Sequence, residues 1–124
     1  MAELWRPYFI VGYKSLTGNG SGTVVWETGA SEEVKVNRIR IHSTGAFDIT
    51  SIVDQGGIPF TNASSAKPID SNVLTAATKN RYHELDLPLE WNLGPNTQIS
   101  FKVTDTSGST NEIFIIGIGS RRTV

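Results

Sequence analysis

The feature that most constrains this chain is an alternation of period two. Ile99, Phe101 and Val103 alternate with Gln98, Ser100, Lys102 and Thr104. Successive side chains of a β-strand point to opposite faces, so this pattern marks a strand with one buried and one wet face. Leu85, Leu87, Leu89 and Trp91 alternate with Glu84, Asp86, Pro88 and Glu90 in the same way. Pro88 has no N–H to give to a ladder, which places it on an edge or at a bulge. Within 34–42 the phase changes: Val34 and Val36 share one parity, Ile39 and Ile41 the other. One extra residue near Asn37-Arg38, a β-bulge, keeps all four on the core face. Phe47, Ile49 and Val53 begin another strand after the turn Ser43-Thr44-Gly45, and Val24-Val25-Trp26 forms a short one after the flexible turn at 17–22.

Two segments are apolar on both faces. Near the start, Trp5, Phe9, Val11 and Tyr13 fall on one parity and Leu4, Tyr8 and Ile10 on the other. Near the end, Ile113-Phe114-Ile115-Ile116-Gly117-Ile118 has no polar face at all. If one face of such a strand packs inward, the other needs a neighbour: a sheet, a loop or another subunit. The loop 105–111, rich in Ser, Gly and Asn, reads as the turn of an antiparallel hairpin joining the last two strands. Residues 55–80 are irregular, with Gly56-Gly57, Pro59 and Pro68. They read as a long loop with one helical turn around 70–77, either functional or a Greek-key crossover. Short strands between Gly, Pro and Asn turns, with no long amphipathic helix, predict an all-β chain. The expected architecture is an antiparallel β-sandwich, jelly-roll-like, forming one domain over 1–124.

Charge and composition narrow the function. The formal net charge is −1, which argues against nucleic-acid binding by bulk electrostatics. Arg121-Arg122 reads as a solvated basic end. There is no cysteine, so disulfides, thiolate metal sites and cysteine nucleophiles are excluded. The N-terminus lacks a basic segment followed by a long apolar run, so no signal peptide is expected. No run is long enough for a helix to cross a bilayer, and no membrane insertion is expected. Synthesis in a cytoplasm follows.

The residues that carry chemistry do not converge. His42 adjoins a turn, and His83 and Asp86 differ in parity, so both histidines read as strand-end residues rather than metal ligands. No Gly-x-Ser-x-Gly elbow supports a Ser-His-Asp triad. Glu32-Glu33, Glu84 with Asp86, and Glu90 read as solvent-face carboxylates rather than a glycosidase pair. Asp105, Ser107, Ser109, Asn111 and Glu112 have the oxygen-rich look of a calcium loop. Their spacing fails the EF-hand pattern, and a hairpin turn accounts for the same letters. No phosphate loop or dinucleotide fingerprint is present. No catalytic residue, metal or cofactor is expected.

The C-terminal third carries a resemblance. Leu87-Pro88-Leu89-Glu90-Trp91 leads to the turn Gly94-Pro95-Asn96; an alternating strand through Ile99, Phe101 and Val103 follows, then the polar turn, then the apolar last strand. This order resembles small single-jelly-roll phage virion proteins, and Trp5-Arg6-Pro7-Tyr8-Phe9 is similar to their first strand. The resemblance implies a minor capsid, vertex, decoration or tail-accessory protein in the virion, partnered with itself and other virion proteins. It brings no functional residues to carry over. The expected subunit contacts are Trp5, Tyr8, Ile10, Phe114, Ile116, Arg121 and Arg122. The alternative is a carbohydrate- or receptor-binding module, with Trp26 or Trp91 as the platform on which a glycan stacks.

Overall fold

The alternating segments are strands in the computed structural model, which describes residues 4–71, 75–77 and 82–124, with 75–77 and 82–89 described by backbone alone. The strands are β1 (Arg6–Leu16), β2 (Ser21–Glu27), β3 (Glu32–Ser43), β4 (Phe47–Asp54), β5 (Ile69–Asp70), β6 (Thr75–Ala77), β7 (Tyr82–Leu93), β8 (Gln98–Asp105) and β9 (Asn111–Thr123). They form a five-stranded sheet in the order β1-β9-β3-β7-β6 and a four-stranded sheet in the order β2-β8-β4-β5. Every ladder among the described residues is antiparallel. The chain changes sheet from β1 to β2, β2 to β3, β3 to β4, β5 to β6, β7 to β8 and β8 to β9. This repeated crossing makes a jelly-roll-like β-sandwich.

The parity break in β3 is a bulge. Its register with both β7 and β9 shifts between Val36 and Arg38. Val34, Val36, Ile39 and Ile41 are all buried as a result. β4 contains a second shift, between Ile49 and Ser51. It buries Ile52 with Phe47 and Ile49 and leaves Val53 half-buried, so Val53 is not the core residue that simple alternation suggested. Pro88 lies in the break of the β3–β7 register, where Arg38 pairs with Asp86 but Val36 with Trp91. The expected bulge is there. The side-chain directions expected for His83, Leu85, Asp86, Leu87 and Leu89 lie outside the described residues.

One expectation is corrected and another is narrowed. The loop 105–111 is not a hairpin turn. β8 pairs with β2 and β4, whereas β9 pairs with β1 and β3, so the loop carries the chain from one sheet to the other. Turn-forming residues serve either connection, because they report only a local reversal. The helical turn expected over 70–77 is narrower than that: Asp70 ends β5, Ser71 takes a 3₁₀ conformation, 72–74 lie outside the described residues, and 75–77 form β6. β5 pairs with β4 and β6 with β7, so each end of this segment serves as an edge strand.

Trp26 fills the centre. It is fully buried, and its ring meets Phe101 edge-on at 4.7 Å within its own sheet. Its Nε1–H donates to the carbonyl of Ile115 in the facing sheet at 2.8 Å, which satisfies the one polar atom that burial would otherwise strand. A Cβ on Gly117 would lie 2.8 Å from the Trp26 ring and 2.7 Å from Ile10. Gly119 is tighter still: a Cβ there would overlap the Lys35 carbonyl oxygen, a backbone atom that cannot swing aside. Gly119→Ala is therefore expected to cost about 3 kcal/mol. Gly94→Ala, where a Cβ meets nothing within 4 Å, should change little. Urea midpoints of the two variants check this.

Candidate functional site

The outer face of the five-stranded sheet carries the candidate site. The β1–β9 register pairs Phe9 with Ile118, Val11 with Ile116, and Tyr13 with Phe114. β9 is followed by β3, which places Arg38, Arg40 and His42 beside Ile118, Ile116 and Phe114. The rows therefore run from apolar at the sheet edge to basic in its middle. Phe9, Val11, Tyr13 and Phe114 are 62%, 54%, 47% and 41% exposed. Tyr13 and Phe114 stack at 4.5 Å, and the Tyr13 hydroxyl donates to Glu112 Oε1 at 2.9 Å. That hydrogen bond holds the Tyr13 phenol above its ordinary pKa. Large exposed side chains are ordinary when scattered; here they are cross-strand neighbours in one stripe at an edge.

The expected contact residues divide between two faces. Phe114 and Ile116 lie on this stripe, exposed and half-buried respectively. Ile10 does not. It is 4% exposed and opposite Gly117 on the inner face, because the outward parity of β1 is that of Phe9, Val11 and Tyr13. Tyr8 shares the inner parity and packs, half-buried, against the core. Those three outward residues and Ile118 share the face of Phe114 and Ile116 but were not among the expected contacts. The signal was Gly12 with Gly117, two residues without side chains on the face that had to close over Trp26.

Trp5, Arg121 and Arg122 gather where the chain ends meet. Trp5 lies between Lys35, 4.2 Å from its ring centroid, and Arg122, 4.8 Å away. Arg122 pairs with Glu33 at 2.6 Å and Arg121 with Glu32 at 3.2 Å. Arg121 also covers the Tyr8 ring at 5.0 Å. The two arginines thus fasten β9 to β1 and β3 rather than standing as a free basic end. Each exposed pair is worth about 0–1 kcal/mol.

The two tryptophans proposed as glycan platforms differ. Trp26 offers no face, since it is fully buried. Trp91 is half-buried and stands 4.8 Å from Phe60, their rings crossed at 63°. Together with Asn92 and Leu93 they line a cleft of about 360 Å³.

The calcium-like loop is a closed hydrogen-bond centre. Asp105 is 2% exposed. Its oxygens accept from the backbone N–H groups of Asn19 (2.8 Å), Ser107 (3.1 Å) and Gly108 (2.9 Å), from Ser107 Oγ (2.6 Å) and from Asn111 Nδ2 (2.9 Å). Donors surround the carboxylate, so it faces no space where a cation would sit. Burial pushes this carboxyl up, but the hydrogen bonds from Ser107, Asn19 and Asn111 outweigh it and hold the group well below the usual carboxylate range. On the four-stranded sheet, Asp48 and Asp70 are directly opposed. Asp48 Oδ1 is buried with no hydrogen-bond partner among the described residues. Burial, then the Asp70 charge, raises the Asp48 pKa. No group of three or more His, Asp or Glu able to hold a metal occurs among the described residues.

No family model matches the chain, and no curated protein matches it. Solved structures do. One is a chain of the acidic stable capsid structure of Helicobacter pylori bacteriophage KHP30, with TM-score 0.52 and 9% identity, over 99% of this chain and 92% of that one. Another is a chain of the cyanophage Pam1 capsid asymmetric unit, with TM-score 0.50 and 14% identity, over 97% and 86%. At such identities the likeness is one of fold, and the fold is the jelly-roll-like sandwich found in these phage capsid chains.

The two aspartates respond to pH with opposite signs. The folded pKa of Asp105 is lowered, so its contribution is present above the unfolded value, near 3.9, and is lost as pH falls below that value through the lowered folded one. Asp105→Asn should cost about 3 kcal/mol at neutral pH and reduce the loss of stability below about pH 4. The folded pKa of Asp48 is raised, so its ionisation opposes folding at neutral pH. Asp48→Asn should stabilise by about 0.5–1 kcal/mol there, as removal of an opposed like charge does. Denaturant titrations at pH 7 and pH 3 check both.

Proposed function

We propose that this chain is a non-enzymatic structural protein of a phage particle, acting as one domain and assembling with itself and with other virion proteins. In role it is a minor capsid, vertex, decoration or tail-accessory component, made in the host cytoplasm and carried in the virion. The observation that carries this reading is the stripe of Phe9, Val11, Tyr13 and Phe114 on the outer face of the five-stranded sheet. Four large apolar side chains held in cross-strand register at an edge leave water-exposed area that a partner would bury. Each square ångström of apolar area so buried contributes about 25 cal/mol before the costs of association.

Two further facts support it. The likeness to the two capsid chains spans nearly the whole of each chain, so those chains are small jelly rolls of about this length. The stripe also lacks catalytic character: its residues are apolar, and the Tyr13 phenol has its pKa moved upward, away from the working range of a general acid or base at neutral pH.

The expected state of the purified protein is an oligomer, measured by light scattering across a concentration series. Val11→Glu places a charge in the centre of the stripe without touching the core. It should lower the mass to that of one chain while leaving the thermal unfolding midpoint within a few degrees. A wild-type chain that stays monomeric at high concentration and binds no particle component would overturn the proposal.

A further inference from the structure

The edge strands of the two sheets are not alike. β5 and β6 are edges of two and three residues, too short to offer another chain much to pair with. β2 runs for seven residues and ends in the charge of Glu27. β1 runs for eleven, and its register with β9 holds from Arg6 to Leu16 without a bulge. Among the described residues β9 is its one ladder partner, so the other side of β1 is an open edge. An unpaired row of N–H and C=O groups is a template for a further strand, and long edges are ordinarily blunted by bulges, prolines or charges. The middle of β1, Tyr8-Phe9-Ile10-Val11-Gly12-Tyr13, carries none of these.

The side chains say which strand fits. Directly opposed residues of an antiparallel pair share a face, so a second β1 can meet the first only in registers that keep Phe9, Val11 and Tyr13 on one side. With Val11, the midpoint of the strand, opposite its own copy, the whole of β1 pairs. Phe9 then opposes the second copy's Tyr13, Ile10 its Gly12, Lys14 its Tyr8 and Arg6 its Leu16. No charge directly opposes a like charge, and the outward apolar row continues across the seam. Centring on Ile10 would set Arg6 against Lys14, and centring on Gly12 would set Phe9 against Ser15. The rest of the face agrees. Arg38 and Arg40 lie on β3, inside β9, so β9, β1 and their copies separate the two basic rows. Each copy has one such edge, so pairing closes at two.

We propose that two copies of this chain join edge to edge through β1, antiparallel about a two-fold axis at Val11, so that their five-stranded sheets become one continuous sheet. This rests on the reading of the chain as one that assembles with itself, and adds the surface, register and symmetry of the contact.

The chain has no cysteine, so Val11→Cys supplies a lone thiol. Opposed residues of an antiparallel pair have Cα atoms about 4.5–5.5 Å apart, within disulfide reach. Mild oxidation should convert most of the Val11→Cys protein to a reducible covalent dimer. Lys102→Cys, exposed on the other sheet, should stay a single chain on the same denaturing gel. Phe9→Cys alone should not cross-link, because the two copies of residue 9 lie about 13 Å apart along the strands; mixed with Tyr13→Cys it should. Hydrogen exchange of the intact protein gives a second measurement: edge amides of β1 should exchange about tenfold more slowly in the wild-type oligomer than in Val11→Glu. An oligomer in which Val11→Cys stays unlinked and the β1 amides are unprotected overturns the edge pairing and leaves the assembly reading standing. Cross-linking by Phe9→Cys alone overturns the two-fold at Val11. A monomer that binds another particle component overturns the self-pairing alone, and a monomer that binds none overturns both.

Discussion

The sandwich depends on the seat of Trp26. Its indole sits between the sheets, edge-on to Phe101 on one side and hydrogen-bonded to Ile115 of the facing sheet. A ring of this size fits only because Gly117 has no side chain opposite it. The same seat orients the strands that carry the outer stripe. With Gly117 and Ile115 directed inward, Phe114, Ile116 and Ile118 must face outward, and the β1 register sends Phe9, Val11 and Tyr13 with them. The exposed face is thus a consequence of how the core closes.

The two ends of the sandwich are sealed by polar chemistry. At one end Asp105 gathers the chain reversals at Asn19 and 105–111, and Asn111 extends the network to Gly45 N and Ala46 O. At the other end Thr28 does similar work on a smaller scale. Its Oγ1 donates to Gly94 O and accepts from Thr97 N, tying the β2–β3 corner to the β7–β8 turn. Loops that change sheet cannot satisfy their backbone groups in a ladder, so buried side chains take the place of a neighbouring strand.

Much of this was legible in the residues because burial leaves a periodic mark. The bulge at Asn37 was readable from four aliphatic residues in two phases, and Pro88 announced a broken ladder. The division of the last two strands between sheets was not readable, since Ser, Gly and Asn reverse a chain equally well within a sheet or across one. The inward parity of β1 was hidden because both of its faces are apolar. What distinguishes them is the space around Trp26, a property of three strands at once. Trp26 and Trp91 looked alike in sequence for a related reason: one stands on a short apolar strand and the other at the end of an alternating one, and only the depth of its strand separates a core ring from a half-open one. Phe60 carried no signal, because no period governs a segment pinned by its own backbone.

The pairing of β1 with β9 has a topological consequence. Arg6 lies opposite Arg121, and at the other end of the pair Leu16 lies opposite Asn111. Both ends of the strand pair that begins and closes the fold therefore leave at one pole, and the Asp105 corner occupies the other. Trp91, in register with Val36 and through it with Gly119, belongs to the first pole. Joining the ends with a short flexible linker and reopening the chain in the exposed part of 106–110 would give a circular permutant with its new termini at the far pole. In that rearranged chain a fused cargo would hang from the Asp105 end, leaving the pole with the aromatic cleft unobstructed.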